Sequence, residues 1–248
     1  MNQKDLKRRD FITKATFGTV GAAAFISACS TGNKTLTINE PPELLDHAPD
    51  GKLIKAGLIG CGGRGTGAAI NFLDAGPNLE ITALGDVFQD RIDTCRANLK
   101  EKKGVEIADE NCFLGFDSYQ KVMDSGVDVV LLCTPPHFRP KHVEAAINAH
   151  KHVFMEKPVA VDPVGARSVL VSSKMAETQG LCMVSGTVRR VQKDYMTTQM
   201  KVANGEIGEI VGANIIRNGG ALWYRKRRPE WTDMEYMLRN WANFCWLS

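Results

Sequence analysis

Between Leu53 and Thr178 the chain alternates short, continuous apolar runs with longer stretches in which apolar residues recur every three to four positions. Continuous runs suit strands buried on both faces, and the longer period suits helices lying along a sheet. The pattern predicts strands at Leu53–Ile59, Leu79–Leu84, Val127–Cys133 and His152–Met155, with helices at Arg64–Ala75, Gln89–Lys103, Pro140–Ala149 and Pro163–Thr178. Gly76-Pro77-Asn78 and Asp124-Ser125-Gly126 act as turns between them. Such alternation is the mark of an α/β fold with a Rossmann-type doubly wound parallel sheet. Beyond Gly180 the pattern continues with a strand at Leu181–Ser185, a helix at Lys193–Asn204, a turn at Gly205–Gly208 and a strand at Glu209–Arg217.

The first 52 residues carry no such period. Lys7-Arg8-Arg9-Asp10-Phe11-Ile12 resembles a twin-arginine export signal, and Ala15 to Ala28 form a weakly apolar Gly/Ala stretch too short to span a bilayer. Ile26-Ser27-Ala28-Cys29 looks like a lipoprotein cleavage box, which makes Cys29 the expected site of lipidation. Residues 1–28 are thus expected to be a signal peptide and 29–52, with Pro41, Pro42 and Pro49, a linker. An uncleaved leader is the alternative. The expected product is exported and periplasmic, touching the membrane only through its lipid anchor.

Composition narrows the function. The chain has 31 basic and 28 acidic residues, but five and two of these lie in residues 1–28, leaving 26 of each sign in the remainder. A neutral body lacks the cationic footprint of a nucleic-acid binder. At 44% hydrophobic and 24% charged residues, disorder is excluded. Seven cysteines without a C-x-x-C pair indicate neither a zinc site nor a disulfide framework, so no metal is expected. The cluster Arg225-Lys226-Arg227-Arg228, interleaved with Trp223, Tyr224 and Trp231, is a solvated or substrate-facing loop.

The first βα turn reads Gly60-Cys61-Gly62-Gly63-Arg64-Gly65, a G-x-G-x-x-G between a predicted strand and a predicted helix. In this setting Gly60 serves a tight turn, Gly62 lets the backbone approach a pyrophosphate, and Gly65 lets the helix pack on the sheet. Asp86 ends the next strand, 21 residues after Gly65, where a carboxylate accepts hydrogen bonds from a ribose diol and repels a 2′-phosphate. This favours NAD over NADP. Arg91, one turn into the next helix, is the residue that could instead meet a phosphate.

The runs Asp128 to Pro135 and Lys151-His152-Val153-Phe154-Met155-Glu156-Lys157-Pro158, together with the glycine turn and Asp86, resemble the Gfo/Idh/MocA oxidoreductase family. The resemblance extends from about Leu53 to Ile216. It implies a Rossmann domain at 53–176 and, at 177–248, the truncated beginning of an α/β substrate domain with a mixed sheet. It also implies cofactor contacts from Gly60, Gly62, Gly63, Arg64, Gly65, Asp86, Thr134, Pro135, Glu156 and Lys157, with Lys157 catalytic beside the nicotinamide. Lys157 and Arg190 are expected to bind substrate. Independently, a lysine at the carboxyl end of a buried strand is expected to be partly desolvated, which favours its neutral, basic form. The bland alternative is a surface Lys-Glu pair. Two departures stand out: Arg139 occupies a slot where many members have histidine, and His150 replaces a common glycine. His137 and His142 are expected in a loop and on a helix surface.

The leading expectation is an NAD-dependent oxidoreductase that transfers hydride between the nicotinamide and a sugar, polyol or glycoside hydroxyl. A carbohydrate is the expected small-molecule partner, and a homo-oligomer is expected if the chain were full length. The alternatives are an NAD-dependent glycosidase working by oxidation and elimination, and a non-catalytic nucleotide-binding fragment.

Overall fold

The computed structural model describes residues 51–248. The predicted export signal, nearly all of the linker and Cys29 lie outside the described residues. Two compact units are distinguished: within the described residues, 51–186 with 219–248 form one and 187–218 the other.

The larger unit is built on a sheet of six strands, all paired in parallel: β1 (Ile54–Ile59), β2 (Leu79–Asp86), β3 (Cys112–Leu114), β4 (Val129–Leu132), β5 (His152–Met155) and β6 (Met183–Ser185). Their spatial order is β3-β2-β1-β4-β5-β6, so the chain winds outward from β1, then returns past it to β4. Helices α1 (Gly63–Asp74), α2 (Gln89–Lys103), α3 (Ser118–Asp124), α4 (Arg139–Asn148) and α5 (Pro163–Thr178) connect the strands. Two apolar clusters result. One joins Ala69 of α1 and Ile92, Cys95 and Leu99 of α2 to Ala56, Leu58 and Leu84 of the sheet. The other joins Val122 and Met123 of α3, Val143 and Ile147 of α4 and Val169 of α5 to Ile59, Val130 and Leu132. Strands covered on both faces read as continuous apolar runs, which is why their positions were legible.

Local chemistry sets the ends of the elements. Asp162 caps α5 by accepting from the Gly165 amide at 2.7 Å, with Pro163 at the first helical position. Helix α2 ends in Lys100, Lys102 and Lys103, which complement its dipole, and Gly104 then turns at φ +66°. Helix α4 ends differently, with His150 held at φ +54°. That left-handed position explains why glycine suits the slot.

The fold departs from the sequence expectations in several places. Strand β3 and helix α3 were not predicted, because three and seven residues are too few to display a period. Predicted strand Glu209–Arg217 forms neither strand nor helix and pairs with no strand among the described residues, and Val211 and Ile215 are 95% and 93% exposed. An unpaired strand leaves its backbone groups to water and gains nothing from pleating. The division expected at 177 also differs, since residues 177–186 complete the sheet and 219–248 group with it. In the smaller unit, helix α6 (Lys193–Ala203) buries Met196 and Met200. Among the described residues no helix is long and apolar enough to cross a membrane.

Candidate functional site

In a doubly wound sheet the ligand crevice opens at the carboxyl edge where the winding reverses, here between β1 and β4. A cleft of about 450 Å³ lies there, lined by the glycine turn, Asp86, the Cys133-Thr134-Pro135 turn and residues of 219–248.

The three glycine roles are distinct in the structure. Gly60 turns at φ +99°, and a Cβ there would meet the Cys133 carbonyl carbon and Thr134 nitrogen at 2.7 Å. A Cβ on Gly65 would lie 1.8 Å from the Gly60 carbonyl oxygen, so only glycine lets α1 sit this close to the strand. At Gly62 nothing lies within 4 Å of the added atom, leaving that side open to the cleft. Helix α1 follows Gly62 as its N-terminal cap residue, with no side-chain cap and no acidic residue in its first turn. Its first-turn N–H groups and positive dipole end are therefore available to an anion.

Asp86 lies beside the glycine turn, at the end of the adjacent strand β2. The Cys61 and Phe88 amides donate to its two carboxylate oxygens at 2.7 and 2.9 Å. Burial raises its pKa, and these donors work against the rise. Each oxygen retains acceptor capacity for a diol. An open glycine cradle, a free helix N-terminus and a carboxylate at the β2 end fit a dinucleotide: diphosphate on α1 and ribose on Asp86.

The other expected site residues divide. Gly60, Gly62, Gly63, Arg64, Gly65, Asp86, Thr134 and Pro135 all line the cleft, whereas Glu156, Lys157 and Arg190 do not. Glu156 is buried, and Arg64 holds its Oε1 through Nε at 2.7 Å and a second guanidinium nitrogen at 2.6 Å. The pair fastens the glycine helix to the turn after β5. Lys157 follows at that edge with a cis bond to Pro158, and its side chain is exposed. The desolvation expected of Lys157 is not found among the described residues, where β5 has ended and the side chain is exposed. Arg190 is exposed in the smaller unit, and its neighbour Arg189 donates to the Tyr195 hydroxyl at 2.6 Å.

Two residues near the Thr134 turn gain importance. Arg139, 1% exposed, donates to the carbonyls of Thr134, Glu156 and Pro158, so one guanidinium ties the turn after β4 to the turn after β5. Burial lowers its pKa to about 10. His142 is not on the helix surface as expected. It faces inward from α4, lines the cleft, stacks on Tyr119 at 4.4 Å and has Nδ1 3.3 Å from the Thr134 hydroxyl. Burial, followed by the Lys141 and Arg139 charges, lowers its pKa to about 3, so it is neutral at ordinary pH. The Cys133 thiol is pushed up to about 12, chiefly by burial, which removes it as a nucleophile.

Sequence reasoning missed the part of the lining formed by Trp223, Arg225, Leu238, Arg239 and Trp241. The aromatic and basic composition around 223–231 was the only signal available. Nothing in a linear pattern ties that stretch to a cleft built by residues between Ile59 and His142.

Comparisons with known proteins identify the family to which this fold belongs. The GFO_IDH_MocA family, described as an oxidoreductase family with an NAD-binding Rossmann fold, matches residues 54–186. The chain is similar to the myo-inositol 2-dehydrogenase of Thermotoga maritima, 31% identical over 63% of this chain and 42% of that protein. It is also similar to the 2,7-anhydro-N-acetylneuraminate hydratase of Escherichia coli, 26% identical over 74% of this chain and 44% of that protein. Among solved structures, the scyllo-inositol dehydrogenase of Lactobacillus casei with bound NAD(H) and scyllo-inositol superposes with a TM-score of 0.51 at 26% identity, covering 63% of this chain and 42% of that one. The chain thus spans less than half the length of these relatives. On its sheet order, its glycine turn and the match across residues 54–186, this chain belongs to the Gfo/Idh/MocA family of oxidoreductases with an NAD-binding Rossmann fold.

Proposed function

We propose that the chain is an NAD-dependent oxidoreductase that moves hydride between the nicotinamide and a hydroxyl-bearing carbon of a polyol, sugar or glycoside. The observation that carries this reading is the convergence of the open glycine turn, Asp86 and the Thr134-Pro135 turn on one cleft at the carboxyl edge of the sheet. The inositol dehydrogenases among its relatives support a polyol as the substrate class. NAD, when bound, supplies the hydride acceptor. The residues of this chain do the remaining work: the α1 N-terminus holds the diphosphate, Asp86 accepts the ribose hydroxyls, and Arg139 fixes the two turns against each other. Lys157 is assigned to bind the substrate hydroxyl and take its proton, with Arg190 as a further substrate contact. Export, lipid anchoring at Cys29 and self-association belong to the same proposal, and an exported enzyme of this kind would retain and recycle its NAD.

A second reading is an NAD-dependent glycosidase with a redox-neutral cycle: a ring hydroxyl is oxidised to a ketone with hydride passing to NAD, the glycosidic substituent is eliminated, water adds across the resulting double bond, and the ketone is reduced again by the NADH formed. The similarity to a hydratase favours it. One assay separates the two. The chain is incubated with NAD and a panel of inositols, hexoses and aryl glycosides, and NADH absorbance is followed alongside released phenol. Net NADH formation from a polyol, lost in Lys157→Ala with NAD affinity retained, supports the first reading. Phenol release without net NADH supports the second, and neither signal from any compound contradicts both.

A further inference from the structure

The matched family region ends at residue 186, yet part of the cleft wall comes from residues 219–248. This segment is secured at both ends of the cleft. At the Asp86 end, Arg239 from helix α7 (Asp233–Arg239) forms a two-pronged bond to Asp90 at 2.9 and 3.0 Å, and its guanidinium lies 4.0 Å from the Phe88 ring centre. At the Thr134 end, the Leu247 carbonyl accepts from the His137 amide at 3.3 Å and the Trp246 ring meets the His137 ring edge-on at 5.3 Å. Leu247 itself is fully buried.

Between the anchors, the segment is braced internally. Asn240, 1% exposed, accepts from the Arg225 amide at 2.7 Å and donates to the Arg225 carbonyl at 3.1 Å. Asn243 donates to the Trp223 carbonyl at 3.1 Å. Trp223 and Trp241 then meet edge-on, 6.1 Å apart, as a paired indole surface on the cleft. The charges of the lining are equally one-sided, with Arg64, Arg91, Arg225 and Arg239 set against the single carboxylate of Asp86. Arg64 already holds Glu156, and Arg239 holds Asp90 and Glu235. Arg91 and Arg225 are the guanidiniums left to meet an anion. Arg225 is disfavoured as a cation by burial and by the nearby Arg91 and Arg239, a repulsion that a bound phosphate would relieve.

We infer that residues 219–248 are the second wall of the dinucleotide site, in which Arg225 with Arg91 binds a phosphate group of the cofactor and Trp223 with Trp241 covers one of its aromatic rings. Planar π systems and a guanidinium suit an aromatic base and a phosphate. The inference rests on the proposed nucleotide-binding role and extends it to residues outside the matched region. Both walls are parts of one folded unit, so the cofactor is enclosed rather than laid on an open edge.

The test uses the full chain. NAD and NADP are titrated calorimetrically, and NADH is titrated against tryptophan fluorescence, into the wild type, Arg225→Gln, Arg225→Lys and Trp223→Phe/Trp241→Phe. Arg227→Gln serves as a control in the same segment, because Arg227 pairs with Asp233 and does not line the cleft. Arg225→Gln is expected to raise the Kd at least tenfold, Arg225→Lys to recover part of that loss and Arg227→Gln to change it less than twofold. Equal loss for NAD and NADP identifies the shared diphosphate as the partner, whereas loss confined to NADP identifies the 2′-phosphate. The double phenylalanine variant is expected to lose most of the NADH-induced quenching. Wild-type affinity in Arg225→Gln, or undiminished quenching in the double variant, overturns the wall. A wild-type chain that binds neither dinucleotide overturns the nucleotide-binding reading itself.

Discussion

Replacing Gly65 by alanine places a methyl group 1.8 Å from the Gly60 carbonyl oxygen and 3.2 Å from the Cys133 Cβ. Ordinary contact begins near 3.4 Å, so the start of α1 must retreat by about 1.6 Å, since the backbone of Gly60 and the Cβ of Cys133 cannot rotate out of the way. The Gly60 turn cannot yield easily, because its amide is bonded to the Gly85 carbonyl at 2.8 Å and its φ is +99°. Overpacking of this kind costs about 3 kcal/mol at the upper end of its usual range, and the better helix propensity of alanine returns about 1 kcal/mol. The net expectation is a loss of about 2 kcal/mol, together with at least a tenfold loss of NAD affinity as the first-turn N–H groups move. Gly62→Ala is the matched control. Its Cβ would enter open space at φ −66° and ψ 179°, so stability should change by less than about 1 kcal/mol while NAD affinity falls through occlusion of the diphosphate position. Urea unfolding with and without NAD, plus direct titration, measures both quantities. A wild-type unfolding midpoint in Gly65→Ala, or wild-type affinity in Gly62→Ala, would refute the separate roles given to these glycines.

Other expectations follow from the same geometry. The folded pKa of His142 is about 3, against an ordinary value near 6.5, so between those values the unfolded chain binds a proton that the folded chain does not. Stability is therefore lost as pH falls below about 6.5, by up to about 1.4 kcal/mol per pH unit, and His142→Gln should flatten that slope in pH-dependent urea melts. Arg139→Met removes the donor shared by three carbonyls and is expected to cost at least about 2 kcal/mol, with Arg139→Lys recovering only part of it. A thermal melt unchanged in Arg139→Met would contradict the bridging role. His150→Gly, at an exposed left-handed position, should raise stability by about 0.5–1 kcal/mol, and a fall would show that the imidazole contributes a contact of its own.

Much of the fold could be read from the chain because parallel strands covered on both faces are long apolar runs, and because glycine and proline mark the ends of helices. The run Val129–Leu132 and the glycine turn are of this kind. Cleft-lining Gly115, Phe116 and Ser118 were not legible, because they lie between a three-residue edge strand and a two-turn helix whose packing is decided by tertiary contacts. Glu209–Arg217 shows the opposite failure: an apolar-rich sequence favours pleating, but a strand forms only where another backbone pairs with it. Within the site, the glycine turn and Asp86 were local in sequence and therefore legible. The buried states of Arg139 and His142 depend on which face of α4 meets the sheet, and the 219–248 wall depends on the distant Arg239–Asp90 pair. Lys157 teaches a further lesson, since a strand end is covered only if some other element reaches over it.

The central claim is that the cleft at the β1/β4 reversal holds NAD through the glycine turn and Asp86. It is tested most directly by calorimetric titration of NAD into the wild-type chain and Asp86→Ala at neutral pH. One NAD per chain, with at least a tenfold weaker Kd in Asp86→Ala, is the predicted result. Absence of binding in the wild type, or an identical Kd in the variant, would contradict it.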